Sequence, residues 1–318
     1  KSSVVSGTTD KPTELLLFYD SGIHVSSLTN NKKVSTVFPV DSSDLPDQVC
    51  DGPTVVQTIA HQDDDLLFMN PDLVKDIRDK RCIRTIYLTA GDAGSGSFYW
   101  LGREKGAEHA YSAMLGSVQI WVERTVKLKT GQFVTIASPR GNQNIQLIFM
   151  HLPDGNLNGR GFPGNGFASI EKLYNGSIRR ISSVDGQSSY SRSELINSLA
   201  ELLEIYRPTV IRTQSSLDPD SKRHDHSDHI TVGRLTQSAY ETFEKQVYQN
   251  EVVIPIEFYT GYANADQPAN VSGEELEDKD RIFSGYTKYD PATCSSSQAC
   301  WSHSNYQKFL PRQYRAER

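Results

Sequence analysis

Long apolar runs, clustered basic residues and CxxC motifs are all missing from this chain of 318 residues. Its longest apolar runs are under ten residues. A bilayer-spanning helix needs about 20, so no transmembrane segment is predicted. Lys and Arg form no run and the formal net charge is −6, which argues against nucleic acid as a partner. No CxxC pair is present, which disfavours a thiolate zinc site.

The overall amino-acid composition is that of a globular protein. The hydrophobic fraction is 37% and the charged fraction 23%, and the length is sufficient for a large core. Strand-like and helix-like segments alternate, which predicts an α/β fold with a Rossmann-like, mostly parallel sheet flanked by helices. We divide the chain into a peripheral N-terminal β extension (1–50), a central domain (51–262) and a polar C-terminal extension (263–318) packed on that domain. The sequence leaves the oligomeric state open.

Hydrophobic periodicity locates the main elements. Core strands are predicted at 54–60 and 83–89 with a short helix between them, which is a βαβ unit. Ser191-Arg-Ser-Glu194 is a capping box that predicts a helix through Tyr206. Further strands are predicted at 15–19, 34–40, 120–129, 133–138, 145–152, 209–213 and 252–260, and further helices at 104–115 and 231–245. A long Gly-, Asn- and Pro-rich loop is predicted at 153–168, and the tail from 262 is not assigned.

The four cysteines allow two disulfides. Cys50 and Cys82 precede the two core strands, so a bridge between them is compatible with parallel neighbouring strands. Cys294 and Cys300 would close a small Ser-rich loop, and the alternative is four free buried thiols. The sequons Asn175-Gly-Ser177 and Asn270-Val-Ser272 fit a glycoprotein, and Lys1 suggests that a leader was removed. Together these features predict a secreted protein in an oxidising, extracellular setting.

The most informative stretch is Ala60-His-Gln-Asp-Asp-Asp65, directly after the first core strand. Ligands bind at the carboxyl end of strands in open α/β sheets. Buried charge is costly unless it is paired or coordinates a metal. Three successive aspartates and one histidine at this point therefore predict a cation site.

A second cluster, His224-Asp-His-Ser-Asp-His229, follows another predicted parallel strand. A catalytic zinc site takes three protein ligands and keeps one position for water, and His61, Asp64 and His229 satisfy that count. We therefore predict one Zn²⁺ per chain, although another divalent metal such as iron(II) shares the ligand preference.

The neighbouring side chains suggest a hydrolytic mechanism. Zinc lowers the pKa of its water and polarises a carbonyl oxygen. Asp63 would take the proton from that water as general base. His226 would stabilise the tetrahedral oxyanion if it were protonated, and Asp228 would favour the protonated form.

These motifs resemble those of the PIG-L/LmbE-like zinc de-N-acetylases. The stretch from His61 to Asp65 is similar to the His-Pro-Asp-Asp-Glu motif of that family, and His226-Ser-Asp-His229 to its His-Pro-Asp-His motif. Thr89-Ala-Gly-Asp-Ala-Gly94 and Leu152-Pro-Asp-Gly155 match further blocks in order. The resemblance covers roughly residues 54–240.

Carried over residue by residue, the resemblance implies metal ligands at His61, Asp64 and His229. It implies Asp63 as general base and His226 as oxyanion stabiliser, oriented by Asp228. Arg103 and Asp154 would be sugar-binding residues. Gln62 replaces a proline without loss of chemistry, and Asp65 replaces a glutamate and receives no role. His224 stands where some members carry a tyrosine that helps the oxyanion, so it either substitutes for that tyrosine or is a bystander.

The resulting prediction is a zinc-dependent hydrolase that removes the acetyl group from an N-acetylglucosamine-type amino sugar or its glycoconjugate. Two alternatives remain open at this point. One is a zinc amidase that acts on a non-sugar amide, since the motifs report the chemistry rather than the amine. The other is an inactive carbohydrate-binding homologue, against which the intact Asp63 argues.

Overall fold

The computed structural model describes residues 14–19, 22–29, 32–35, 40–42, 50, 52–218, 224–248, 253–303 and 305–316. For residues 14–35 the description is limited to strand pairing. Parts of two predicted strands, residues 36–39 and residue 252, lie outside the described residues.

An eight-stranded sheet forms the centre of the structure, and its strand order is β13-β12-β5-β6-β9-β8-β7-β4. The strands are β1 (Glu14–Tyr19), β2 (Gly22–Thr29), β3 (Lys32–Ser35), β4 (Val40–Asp41), β5 (Thr54–Ile59), β6 (Cys82–Thr89), β7 (Trp121–Lys127), β8 (Phe133–Pro139), β9 (Ile145–Leu152), β10 (Ile181–Ser182), β11 (Ser189–Tyr190), β12 (Val210–Gln214) and β13 (Ile256–Tyr259). Strands β13, β12, β5, β6 and β9 are parallel to one another, and β8 is antiparallel to both β9 and β7. The predicted mostly parallel sheet is therefore confirmed.

The helices are α1 (Asp64–Phe68), α2 (Asp72–Arg78), α3 (Ser97–Met114), α4 (Ile170–Tyr174), α5 (Arg192–Tyr206), α6 (Ser227–Phe243), α7 (Gly273–Thr287) and α8 (Ser297–His303). The predicted capping box starts α5, with reciprocal hydrogen bonds between Ser191 and Glu194. Among the described residues, no helix combines the length and the apolar character needed to cross a membrane.

Helices cover both faces of the sheet, because the central strands are apolar on both sides. Every residue of β5, β6, β9 and β12 is buried. Alternate residues of β5 contribute to different cores: Val55 and Ile59 join the core formed with α3 and α7, whereas Val56 joins the core formed with α5 and α6. Burial on both faces is typical of strands in parallel sheets, whereas strands with one solvent-exposed face alternate between apolar and polar residues.

Two helices depart from the sequence prediction. Helix α3 begins at Ser97 rather than at residue 104. The prediction missed its first turns because Phe98 and Leu101 are apolar but exposed there, so the sequence shows no amphipathic pattern. Helix α7 was not predicted at all, since its fully buried apolar residues, Ile282, Phe283 and Tyr286, all lie near its end. This helix lies in the C-terminal segment and packs on α3.

Both predicted disulfides are present, Cys50–Cys82 and Cys294–Cys300. Cys82 begins β6, so the first bridge lies at the amino end of the parallel strands. The second bridge follows α7 and spans a sequence separation of 6, against 32 for the first.

We expect the two disulfides to differ in their contribution to stability. The loop-entropy relation predicts about 4 kcal/mol for a closed loop of the size of Cys50–Cys82 and about 2 kcal/mol for the shorter one. Paired serine substitutions, Cys50→Ser/Cys82→Ser and Cys294→Ser/Cys300→Ser, should lower the free energy of unfolding in that order. Urea denaturation under non-reducing conditions measures the difference, and equal losses would contradict the entropic origin.

Candidate metal centre

Adjacent parallel strands bring the two His/Asp clusters together. Strands β5 and β12 are hydrogen-bonded neighbours, with Thr58 opposite Thr213. The chain leaves β5 into His61 and enters α1 at Asp64. After β12 it returns through the loop that ends at His226, the N-cap of α6. Both clusters therefore lie at the carboxyl edge of the sheet, as the sequence predicts.

Asp64 lies between two imidazoles. Its Oδ2 is 3.2 Å from His61 Nδ1, and its Oδ1 is 3.0 Å from His229 Nε2. Two atoms that each bind one tetrahedral cation at about 2.0–2.1 Å are about 3.3 Å apart, so this spacing suits a shared metal ion. His229 Nε2 is buried and has no hydrogen-bond partner, although Asp64 is close. These three side chains form one of two His/Asp groups in the described residues that could hold a metal ion.

The second ring nitrogen of each of these histidines faces a carboxylate. His61 Nε2 lies 3.2 Å from Asp228 Oδ2, and His229 Nδ1 lies 2.8 Å from Asp225 Oδ1. A metal-ligating histidine characteristically donates its other N–H in this way, which fixes the tautomer and leaves the opposite nitrogen free to coordinate. The residues therefore fit a divalent cation. Sequence reasoning missed Asp225, although its place four residues before His229 was a signal for this supporting role.

The electrostatics of the group favour added positive charge. Burial would lower the pKa of His61 and of His229, but the neighbouring carboxylates together outweigh it and raise both: Asp64 with Asp228 at His61, and Asp64 with Asp225 at His229. Burial would raise the pKa of Asp64, yet the His229 and His61 imidazoles hold it well below its ordinary value. A bound cation meets the same demand at the nitrogen lone pairs that protons would otherwise occupy.

His226 differs from the other two imidazoles. Its Nδ1 accepts a hydrogen bond from the backbone N–H of Asp228 at 3.2 Å, so the neutral ring carries its proton on Nε2. Burial and the neighbouring His61 lower the pKa of His226 to about 3, although Asp228 acts in the opposite direction. Asp228 thus acts in the predicted direction, and the hydrogen bond at Nδ1 leaves Nε2 as the donor of the neutral ring.

The second His/Asp group shares His61 with the first and adds Asp154, His226 and Asp228. It fits a cation less well, because Asp228 Oδ2 already accepts the backbone N–H of Gly155 at 2.9 Å in addition to its contact with His61. Asp154 is 4.0 Å from His61 Nε2 and 3.7 Å from His226 Nε2. Asp154 thus lies at the site, beyond hydrogen-bond distance from either ring.

Asp63 and Arg103 form an ion pair beside the metal ligands. Arg103 Nη2 donates to Asp63 Oδ1 at 2.5 Å, and Nη1 donates to the Gly91 carbonyl at 2.8 Å. Gly91 has a φ of +54°, and a Cβ there would lie 2.1 Å from Nη1, so glycine is required. The Asp63 side chain is 13% exposed, against 4% for Asp64, so Asp63 is the more accessible of the two carboxylates.

Two further side chains clarify the motifs. Asp65, which received no role from sequence, is fully buried and accepts from the hydroxyls of Tyr111 at 2.7 Å and Tyr87 at 3.1 Å. Burial outweighs these bonds and raises its pKa to about 7. Asp65 thus ties the start of α1 to β6 and α3. His224 is 80% exposed and pairs with Asp218 at 3.3 Å, away from the buried group.

Comparison with known proteins identifies one family model. The model for PIG-L, GlcNAc-PI de-N-acetylase, matches residues 56–240. No curated protein matches the chain significantly.

Solved structures with similar folds are only distantly related in sequence. N,N'-diacetylchitobiose deacetylase from Pyrococcus horikoshii is 15% identical, covers 84% of this chain and 79% of its own, and has a TM-score of 0.44. Teicoplanin deacetylase Orf2 is 14% identical over 81% and 88%, with a TM-score of 0.40. The 4-carboxy-2-hydroxymuconate hydratase GalB from Pseudomonas putida KT2440 is 11% identical over 74% and 83%, with a TM-score of 0.41.

Metal analysis of two histidine variants tests the ligand group. His229→Ala removes the imidazole that faces Asp64, so we expect the purified variant to lose its divalent metal. His224→Ala, from the same six-residue cluster, should keep a full equivalent because His224 is exposed. Elemental analysis after dialysis against zinc-containing buffer gives both values, and full occupancy in His229→Ala would exclude this ligand group.

Proposed function

The chain belongs to the PIG-L family and is a hydrolytic de-N-acetylase, and from this premise we propose that it removes the acetyl group from an N-acetylglucosamine-type sugar or its conjugate. The observation that carries the proposal is the arrangement of His61 and His229. Each directs one nitrogen to Asp64 and the other to a separate carboxylate, with Asp63 alongside.

We propose zinc as the metal, held by His61, Asp64 and His229. The imidazole and carboxylate donors suit it, and the nitrogen that faces Asp64 in each ring is the one left without a proton. When bound, a zinc ion supplies Lewis-acid chemistry, because it lowers the pKa of a water molecule to about 7 and polarises the amide carbonyl.

Asp63 is the proposed general base. Its Oδ1 is held by Arg103, which leaves Oδ2 for the proton of the attacking water. The proton then passes to the nitrogen of the breaking amide bond, so that acetate and a free amine are the products. The partial exposure of the side chain supports this role, since the water and the amide must both reach it.

His226 is the proposed donor to the oxyanion. Its Nδ1 is occupied by the backbone N–H of Asp228, so its Nε2–H can be directed at the carbonyl oxygen as negative charge develops. A neutral imidazole suffices for this task. The role that we assign to Asp228 is therefore twofold: its backbone orients His226 and its carboxylate orients His61.

The sugar contacts are assigned to the loop after β9. Asp154 is 7% exposed, and its Oδ1 accepts the backbone N–H of Asn156 at 2.7 Å. The carboxylate is thereby oriented, and Oδ2 is the proposed acceptor for a sugar hydroxyl. Arg103 is the second proposed sugar-binding residue from the sequence, but each of its three nitrogens already has a protein partner. We therefore assign Arg103 first to Asp63, and the second N–H on each of Nη1 and Nη2 is the proposed donor to a sugar hydroxyl. The two disulfides support an oxidising compartment, and we propose secretion.

A screen for released acetate tests the proposed function. The substrates are N-acetylglucosamine, its oligomers and conjugates, with acetylated non-sugar amines in parallel and a chelator control for each. Acetate from the sugars that stops on chelation and returns with zinc is the expected result. Acetate only from the non-sugar amides would replace the proposal with a general amidase, and binding of the oligomers without acetate would indicate an inactive homologue.

The base assignment has its own variant. Asp63→Asn removes the proton acceptor and keeps the shape, so kcat should fall by about 10²- to 10⁴-fold while the metal content stays at one equivalent. Steady-state acetate release and elemental analysis on the same preparation measure both. A wild-type kcat in this variant would show that another group takes the proton.

A further inference from the structure

Tyr286 and Asp290, from the C-terminal segment, contact Arg103 at a nitrogen other than the one that faces Asp63. Both lie outside the family match of residues 56–240. Arg103 Nε donates to the Tyr286 hydroxyl at 2.8 Å and lies 3.0 Å from Asp290 Oδ2. The Tyr286 hydroxyl donates to the same Asp290 oxygen at 2.7 Å. All three side chains are buried. Each of the three side chains contacts the other two, so the guanidinium is held in position and its charge is balanced.

Arg103 is one cation between two carboxylates. It forms ion pairs with Asp63 through Nη2 and with Asp290 through Nε. A guanidinium readily binds a single carboxylate with two parallel hydrogen bonds. Because Asp290 and Tyr286 occupy Nε and Gly91 occupies Nη1, only Nη2 contacts Asp63. The C-terminal partners therefore keep the contact with Asp63 single.

Close packing of α3 against α7 places Tyr286 and Asp290 beside Arg103. A Cβ on Gly102 would lie 2.6 Å from the Tyr289 carbonyl oxygen, and one on Gly106 would lie 2.7 Å from the Tyr286 ring. These glycines are four residues apart and so lie on one face of α3. Side chains at either position would separate the two helices at the level of Arg103.

A defined turn after α7 fixes Asp290 itself. Its Oδ1 accepts the backbone N–H of Ala292 at 3.0 Å, and its carbonyl accepts the N–H and the hydroxyl of Thr293. The Cys294–Cys300 disulfide follows directly. Asp290 thus uses one carboxylate oxygen to hold its own turn and the other to hold Arg103.

We propose that Asp290, together with Tyr286, is a positioning residue for the de-N-acetylation reaction. It acts through Arg103 on Asp63, and the proposal rests on the function proposed above. With Asp290 in place, Arg103 holds one oxygen of Asp63 and leaves the other for the proton. Without the Asp290 charge, Arg103 can turn its fork onto Asp63 and bind both oxygens. The segment from α7 to the second disulfide is then part of the catalytic apparatus.

The test compares aspartate variants in the purified, metal-loaded full chain. Asp290→Asn removes the charge and keeps an acceptor for the Ala292 N–H, so we expect kcat to fall about 10-fold or more, as for other supporting partners of active-site groups. KM should change less than about twofold and the metal content should not change, because the contact reaches neither the sugar nor the ligands. Asp290→Glu restores the charge and should recover part of kcat.

Asp278→Asn is the matched control. Asp278 lies on α7, the helix that carries Tyr286 and leads into the turn of Asp290, and it pairs with Arg78 and Arg281 at the surface. It undergoes the same chemical change without reaching Arg103, so its kcat should equal that of the wild type. If Asp290→Asn fails to fold, Tyr286→Phe provides the second variant: it deletes one hydroxyl that accepts from Arg103 and donates to Asp290, and should lower kcat about threefold or more through the same route.

The outcomes separate this proposal from the proposed function. Wild-type acetate release combined with an unchanged kcat in folded Asp290→Asn overturns the positioning role and leaves the function standing. If the wild type releases no acetate from any substrate, the proposed function fails. Hydrogen exchange then tests the Asp290–Arg103–Asp63 connection without activity: Asp290→Asn should slow exchange in the peptide that covers residues 61–68, because Arg103 then holds both oxygens of Asp63, and Asp278→Asn should not. Equal exchange in the two variants also overturns the proposal.

Discussion

Buried aspartates at the carboxyl edge of a parallel sheet must be balanced by positive charge, and this requirement organises the whole site. Asp64 meets two imidazoles at 3.0 and 3.2 Å, Asp63 meets Arg103, and Asp228 meets His61. Desolvated carboxylates that lacked such partners would be strongly destabilising. The strand order follows the same requirement, because β5 and β12 must be neighbours for their two loops to share one set of counter-charges.

The three histidines show how identical side chains acquire different tasks from their second nitrogen. His61 and His229 each turn that nitrogen to a carboxylate, which leaves the other one available to a cation. His226 turns its Nδ1 to a backbone N–H instead, which leaves a proton on Nε2. The nature of the partner, acceptor or donor, thus decides whether the free nitrogen can coordinate or donate.

Local patterns in the sequence were sufficient for the parts of the molecule that depend on near neighbours. The buried runs of β5 and β6, the capping box at Ser191 and the two His/Asp motifs are all of this kind. Helix α7 was not predicted because most of its residues are polar. Only the face that packs on α3 is apolar, and that packing is not visible in the sequence. The Tyr286 contact with Arg103 spans 183 residues, and nothing near either residue signals it.

The glycine pair on α3 has an implication for how this protein could diverge or be recombined. Gly102 and Gly106 lie within the region that matches the family, whereas the Tyr286 and Tyr289 atoms they accommodate lie beyond it. A chimera joined near residue 240 would therefore separate the two halves of one interlocking surface. A C-terminal segment taken from a relative would pack correctly only if the small residues of α3 were exchanged together with it.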